Sequence, residues 1–208
     1  MKKTNFVRTA LAGAMMMGMA SAASAFTVTF SAATDSDSVP QFYDPTANSL
    51  VGLQGLNLGL GTGLNSFKTN SATVGIAQDA NDFMVTCTGC VITKVTLTEM
   101  GTGSSGTGVA AAQGKLTADG KSQNTVFASY FGGASGPFTI ATSVAVAGKS
   151  SIAVNVNNSL FSGGGGSIEK LSSVIDVEVT AVPLPPAAWM LGAALGGLVT
   201  VGRRKLGV

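Results

Sequence analysis

Period-two alternation constrains the fold of this chain more than any other feature. In SSVIDVEVTAV, Ile175, Val177, Val179 and Ala181 fall on one side, and Asp176, Glu178 and Thr180 on the other. That is the pattern of a strand with one buried and one wet face. FTVTFSA repeats it, with Phe26, Val28 and Phe30 set against Thr27, Thr29 and Ser31, and SIAVNVN does so through Ile152, Val154 and Val156. NDFMVTC, VITKVTLT, NTVFASYF and PFTIATSVAVA are β-branched or aromatic runs closed by Gly, Asn, Asp or Pro, which is the other strand signature. ATVGIAQ and LVGLQGLNLGLG are weaker strands, the second because interior glycine weakens a ladder. Between residues 26 and 182 no stretch holds an i, i+3, i+4 apolar pattern over three turns. About eight to ten short strands with turn-rich joins predict an all-β fold, a single antiparallel β-sandwich or jelly roll.

Glycine fills the joins. MGTGSSGTG (100–108), FSGGGGS (161–167) and LGLGTG (58–63) mix Gly with Ser or Thr and read as flexible loops, with residues 163–166 as a long hairpin tip. None has the GxxxxGK[ST] order of a phosphate loop. TVT (27–29) and TLT (96–98) are short threonine rows on the solvent faces of strands, and no long internal repeat recurs.

The two ends do not follow the strand pattern. Residues 1–25 open with Lys2, Lys3 and Arg8, pass through ALAGAMMMGMASA and close on Ala23-Ser24-Ala25. A basic start, a short apolar stretch and an A-x-A site predict a secretory signal peptide cut after Ala25. The other end reads VPLPPAAWMLGAALGGLVTVGRRKLGV, where Pro183, Pro185 and Pro186 hold the chain extended. Residues 187–202 carry no charge, include Trp189 and are followed by Arg203, Arg204 and Lys205. They predict a short C-terminal transmembrane helix of ~24 Å. Trp189 would anchor it at the outer interface and the basic cluster at the cytoplasmic side. Gly192 and Gly196 add a GxxxG spacing, a weak signal in so glycine-rich a segment. The predicted organisation is a signal peptide (1–25), an ectodomain (26–182) and a C-terminal sorting segment (183–208).

The order of VPLP motif, short apolar helix and terminal basic cluster resembles the PEP-CTERM class of sorting signals, in its VPLPA-type variant. Val182, Pro183, Leu184 and Pro185 match the motif, and Pro186 stands where the motif has alanine. The resemblance is confined to the tail. It implies export in a Gram-negative envelope, an inner-membrane-anchored precursor, and processing by the transpeptidase-like enzyme exosortase. The implied partners are the secretion machinery, exosortase, the membrane and exopolysaccharide, and the implied destination is the cell surface, matrix or biofilm.

Setting the ends aside changes the charge. The whole chain is +2, from twelve Lys and Arg against ten Asp and Glu. Residues 26–182 hold six lysines against all ten acids, a net charge of −4, with no arginine, histidine or tryptophan. Such a surface is a poor match for nucleic-acid phosphates or anionic lipid. Without histidine there is no His-dependent triad or His-ligated metal site, and the ectodomain has no GxSxG elbow. No catalytic residue, metal or cofactor is assigned, and an enzyme is not expected.

Cys87 and Cys90 are the only cysteines. Their β-branched flanks do not suit the helix start of a thioredoxin-like pair, and two thiolates without histidine do not complete a zinc site. A disulfide across a tight Thr88-Gly89 turn, formed after export, is the reading. Asp35, Asp37 and Asp44, and separately Asp79 and Asp82 in a QDANDF loop between strands, have oxygen spacings that a calcium loop would use. Ordinary turn-making accounts for them more simply. The sequence therefore predicts an exported, exosortase-processed structural protein of the surface or matrix. The second reading is an extracellular carbohydrate- or ligand-binding sandwich that uses loop acids with Tyr43, Tyr130 or Phe131.

Overall fold

The alternating runs form antiparallel ladders. The computed structural model describes residues 26–31, 34–35, 49–52, 54–58 and 68–182. Among them are β1 (Thr27–Phe30), β2 (Thr34–Asp35), β3 (Ser49–Val51), β4 (Gly55–Leu58), β5 (Lys68–Ser71), β6 (Val74–Thr88) and β7 (Cys90–Ser104). The chain continues through β8 (Val109–Ala118), β9 (Lys121–Asn124), β10 (Ala128–Phe131), β11 (Ser135–Lys149), β12 (Ser151–Gly163) and β13 (Gly166–Ala181).

One sheet has the order β1-β6-β12-β8-β10, with β2 on β6 and β9 on β8; the other runs β11-β7-β13-β4-β3, with β5 on β13. From β5 onward, with the short β9 set aside, four strands lie in one sheet as β5-β13-β7-β11 and four in the other as β6-β12-β8-β10. Nearly every connection between these eight crosses from sheet to sheet. This order is that of a jelly roll, which agrees with the all-β, antiparallel expectation.

Inward side chains from both sheets form two apolar clusters. The larger joins Phe83, Val85, Ile152, Val154 and Leu116 of the first sheet to Ile92, Val95, Leu97, Ile175 and Val177 of the second. Phe26, Val28 and Phe30 pack against it as their alternation predicts. The smaller joins Ala77, Ala112 and Leu160 to Phe138, Ile140 and Ile168.

Several sequence expectations are corrected. ATVGIAQ from Val74 onward and all of NDFMVTC belong to the single strand β6, so QDANDF is mid-strand and not a loop. The alanine-rich β8 was not foreseen. Residues 100–104 continue β7, because glycine is needed there for packing and not for flexibility. A Cβ on Gly103 would lie 2.6 Å from Tyr130 Cδ2, and one on Gly101 would lie 2.7 Å from Phe138 Cε1. The tip at 163–166 is not long: only Gly164 and Gly165 turn, both at positive φ (60° and 84°), a tight hairpin that glycine accommodates. NTVFASYF is split into β9 and β10 by residues 125–127.

The signal-peptide residues Ala23 and Ala25, and the tail residues Pro183, Leu184, Pro185, Trp189, Arg203, Arg204 and Lys205, lie outside the described residues. So do Asp37, Tyr43 and Asp44. Among the described residues, no helix is long and apolar enough to cross a membrane.

Candidate functional site

The break between β9 and β10 builds a surface feature. Lys115 pairs with Asn124 and Ala112 with Ala128, so two residues of β8, Gln113 and Gly114, oppose three, Thr125 to Phe127. An unequal count of this kind is a β-bulge. Thr125 is the inward member: its N–H donates to Gly114 O (2.8 Å), and its Oγ1 accepts from Gly114 N–H (2.7 Å). Pinning Thr125 turns its neighbours outward, leaving Val126 73% and Phe127 58% exposed.

These two residues border an open groove of about 460 Å³ between β10 and β11, the edge strands of the two sheets. Phe127, Tyr130 and Phe138 supply aromatic walls, and Ser129 and Thr139 supply hydroxyls. Tyr130 Oη donates to Gly136 O (2.9 Å), and burial pushes its hydroxyl pKa up. Phe131, the last residue of β10, is 64% exposed. Of the aromatic residues singled out in the sequence, the structure thus brings Tyr130 and Phe131 to one sheet edge.

A second feature lies inside. Between the two apolar clusters runs a belt of buried polar side chains: Asp79, Asn81, Glu99, Asn158, Lys170 and Ser173. Lys170 is 2% exposed. Its Nζ donates to Glu99 Oε1 (2.8 Å), Asn158 Oδ1 (3.0 Å) and Gln113 O (3.2 Å). Burial pushes the Glu99 carboxyl up and the Lys170 amine down, and the attraction between the two opposes both shifts. Asp79 adds a negative charge that favours the ammonium. The carboxylate of Glu99 occupies the space that a side chain on Gly114 would fill, since a Cβ there would lie 2.6 Å from Glu99 Cδ.

The remaining predicted site residues are placed as follows. Cys87 and Cys90 are disulfide-bonded, with Cα atoms 5.4 Å apart, at the corner where β6 leaves one sheet and β7 enters the other. Gly89 between them takes φ 76°. Val182 is half-exposed just beyond β13. Asp79 and Asp82 do not form a shared loop site: Asp79 faces the interior, whereas Asp82 faces out and accepts from Asn155 Nδ2 (2.8 Å). Asp35 lies in β2, paired with Asn81 in register. Among the described residues, no group of three or more His, Cys, Asp or Glu could hold a metal ion.

No protein-family model and no curated protein matches the chain. Among solved structures it is similar to TmCBM61 in complex with β-1,4-galactotriose, at 13% identity, covering 76% of this chain and 90% of that one, with a TM-score of 0.28. It is similar to the CBM36-1 domain of a multidomain xylanase from the hindgut metagenome of Trinervitermes trinervoides, at 11% identity over 77% and 100%, with a TM-score of 0.26. It is also similar to the enzymatically active domain of bacteriophage CBA120 tailspike protein 4, at 16% identity over 76% and 19%, with a TM-score of 0.19.

Proposed function

We propose that the ectodomain is a non-catalytic, extracellular carbohydrate-binding module whose ligand lies in the groove between β10 and β11. The observation that carries this reading is the bulge that holds Val126 and Phe127 out at a sheet edge, beside Tyr130, Ser129 and Thr139. Exposed apolar side chains gathered in a concavity mark interaction sites. A sugar ring offers an apolar C–H face for an aromatic ring and a rim of hydroxyls for Ser, Thr and the unpaired backbone of edge strands. The test is retention of the purified ectodomain on extracellular polysaccharide and on a glycan array. Phe127→Ala, at an exposed position, should weaken saturable binding on the order of tenfold while leaving the fold intact. Absence of saturable retention on any glycan would instead favour a passive structural component of the surface or matrix.

The chain reaches that setting, on this reading, as an exported precursor held in the inner membrane by its tail and processed there by exosortase. The Val182–Pro185 motif, the apolar run and the basic end support this, as does the Cys87–Cys90 disulfide, a bond characteristic of oxidising compartments. Mass spectrometry of surface-released protein should find Phe26 first and a C-terminus near Val182 to Pro185. A released chain ending at Val208 would refute the processing.

A further inference from the structure

A lysine is rarely placed in the middle of a β-sandwich, because removing an ammonium from water is costly unless partners compensate it. Lys170 has such partners, and their chemistry is specific. A primary amine, a carboxamide carbonyl and a carboxyl group meet where both charged side chains have no solvent exposure. We infer that Lys170 Nζ and Asn158 Cγ form an isopeptide bond, with Glu99 as the catalytic proton carrier, and that this bond ties the two sheets together.

The step balances without any further reagent. Glu99 Oε1, 2.8 Å from Nζ, takes a proton from the ammonium and leaves a neutral amine beside a neutral acid, the pairing that a dry interior favours. The burial shifts of both groups act in this direction. The amine lone pair attacks Asn158 Cγ and forms the N–C bond as electrons move onto Oδ1, the atom already within 3.0 Å of Nζ. Collapse then breaks the Cγ–Nδ2 bond and releases ammonia. Of the three protons on Nζ, one stays on the new amide, one leaves as the third hydrogen of ammonia and one ends on Glu99. Nothing is oxidised or reduced.

The surroundings are arranged for this. Among the described residues, Asn158 Nδ2, the departing nitrogen, and Glu99 Oε2 have no hydrogen-bond partner. Asn158 is the register partner of Gly114, over which the Glu99 carboxylate lies, so the acid and the amide share one small space. Gln113 O supplies the third acceptor that fixes Nζ. Asn158 is on β12 and Lys170 on β13, which belong to opposite sheets.

Electrospray mass measurement of the reduced, purified wild-type chain tests the assignment. The expected mass is about 17 Da below that of the sequence between the observed termini, the loss of one ammonia. Proteolysis after Glu169 should leave the peptides bearing Asn158 and Lys170 joined, and trypsin should fail to cut after Lys170. Glu99→Gln should restore the full mass with the β-sheet circular dichroism retained; if that variant does not fold, the wild-type mass and peptide map decide alone. A folded wild-type chain at full mass with a trypsin-sensitive Lys170 would overturn the proposal. A loss of about 18 Da, one water, would also overturn it, because the bond would then be to a carboxyl such as that of Asp79.

Discussion

Gly114→Ala separates two opposing effects by sign. Gly114 lies inside β8 and does not have positive φ, so strand propensity alone makes alanine the better residue by about 0.5–1 kcal/mol. The structure argues the opposite. The new Cβ would overlap the Glu99 carboxylate, 2.6 Å from Cδ, and the contact is with a charged head held by Lys170 inside the sandwich, with no solvent into which it can swing. In an Asn158→Ala background, where Lys170 cannot be joined and keeps its charge, displacing that carboxylate strips a buried cation of its partner, a change that costs about 3–5 kcal/mol. The net expectation is a loss of roughly 2–4 kcal/mol, or roughly 4–16 °C in Tm for a domain of this size. Urea and thermal denaturation followed by far-ultraviolet circular dichroism would measure it. Glu99→Ala provides the control: with the carboxylate gone, adding Gly114→Ala should cost nothing further, a coupling that a double-mutant cycle reads directly. A Gly114→Ala protein as stable as its Asn158→Ala parent, or an equal cost with and without Glu99, would refute the steric account.

Thr125→Val keeps the shape but leaves the buried Gly114 N–H without its 2.7 Å acceptor; about 1–3 kcal/mol should be lost, and glycan retention should fall with it as the bulge relaxes. Cys87→Ser/Cys90→Ser should still fold and be exported, because a loop closed over three positions gives only about 2 kcal/mol in the chain-entropy model; complete loss of the folded domain would contradict this. Burial raises the Glu99 carboxyl above its usual 4.5, so the folded chain holds that proton more tightly than the unfolded one. Its contribution is therefore most favourable below pH 4.5 and declines as pH rises through the raised value. Denaturation midpoints across this range should lose that decline in Glu99→Gln, and identical pH profiles for the two proteins would count against it.

The fold was legible because most strands bury one face and wet the other. Ile152, Val154 and Val156 point inward as their spacing requires, and so do Ile175 and Val177. What escaped were the places where a ladder changes phase. Counting back by twos from Ile175 through Ser173 puts Leu171 inside and Lys170 outside; the structure reverses them, with Leu171 61% exposed. The cause is the register shift between Lys170 and Ser172, since one extra residue moves every side chain beyond it to the other face. Glu99 had a usable signal: it continues the inward phase of Val95 and Leu97. The bulge at Thr125 had none, because its partner is the backbone of Gly114. Glycines 101 and 103 suggested looseness, yet Phe138 and Tyr130 occupy the space beside them, as the Glu99 carboxylate does beside Gly114.

The groove and the polar belt meet at Gly114. One side of this residue carries the Glu99 carboxylate, and its backbone holds Thr125, whose inward turn presents Val126 and Phe127. A ligand that presses on the bulge therefore acts on a backbone that is itself fixed by the buried Lys170–Glu99 pair. Apolar clusters on both sides of the belt exclude the water that would otherwise screen that pair. A wholly apolar interior would relieve the desolvation cost, but it would remove the polar contacts that fix β12, β13 and β7 in one register at the level of the groove. Lys170 therefore orders the sandwich from within, and a bond to Asn158 would make that ordering permanent beneath the groove proposed to take the ligand.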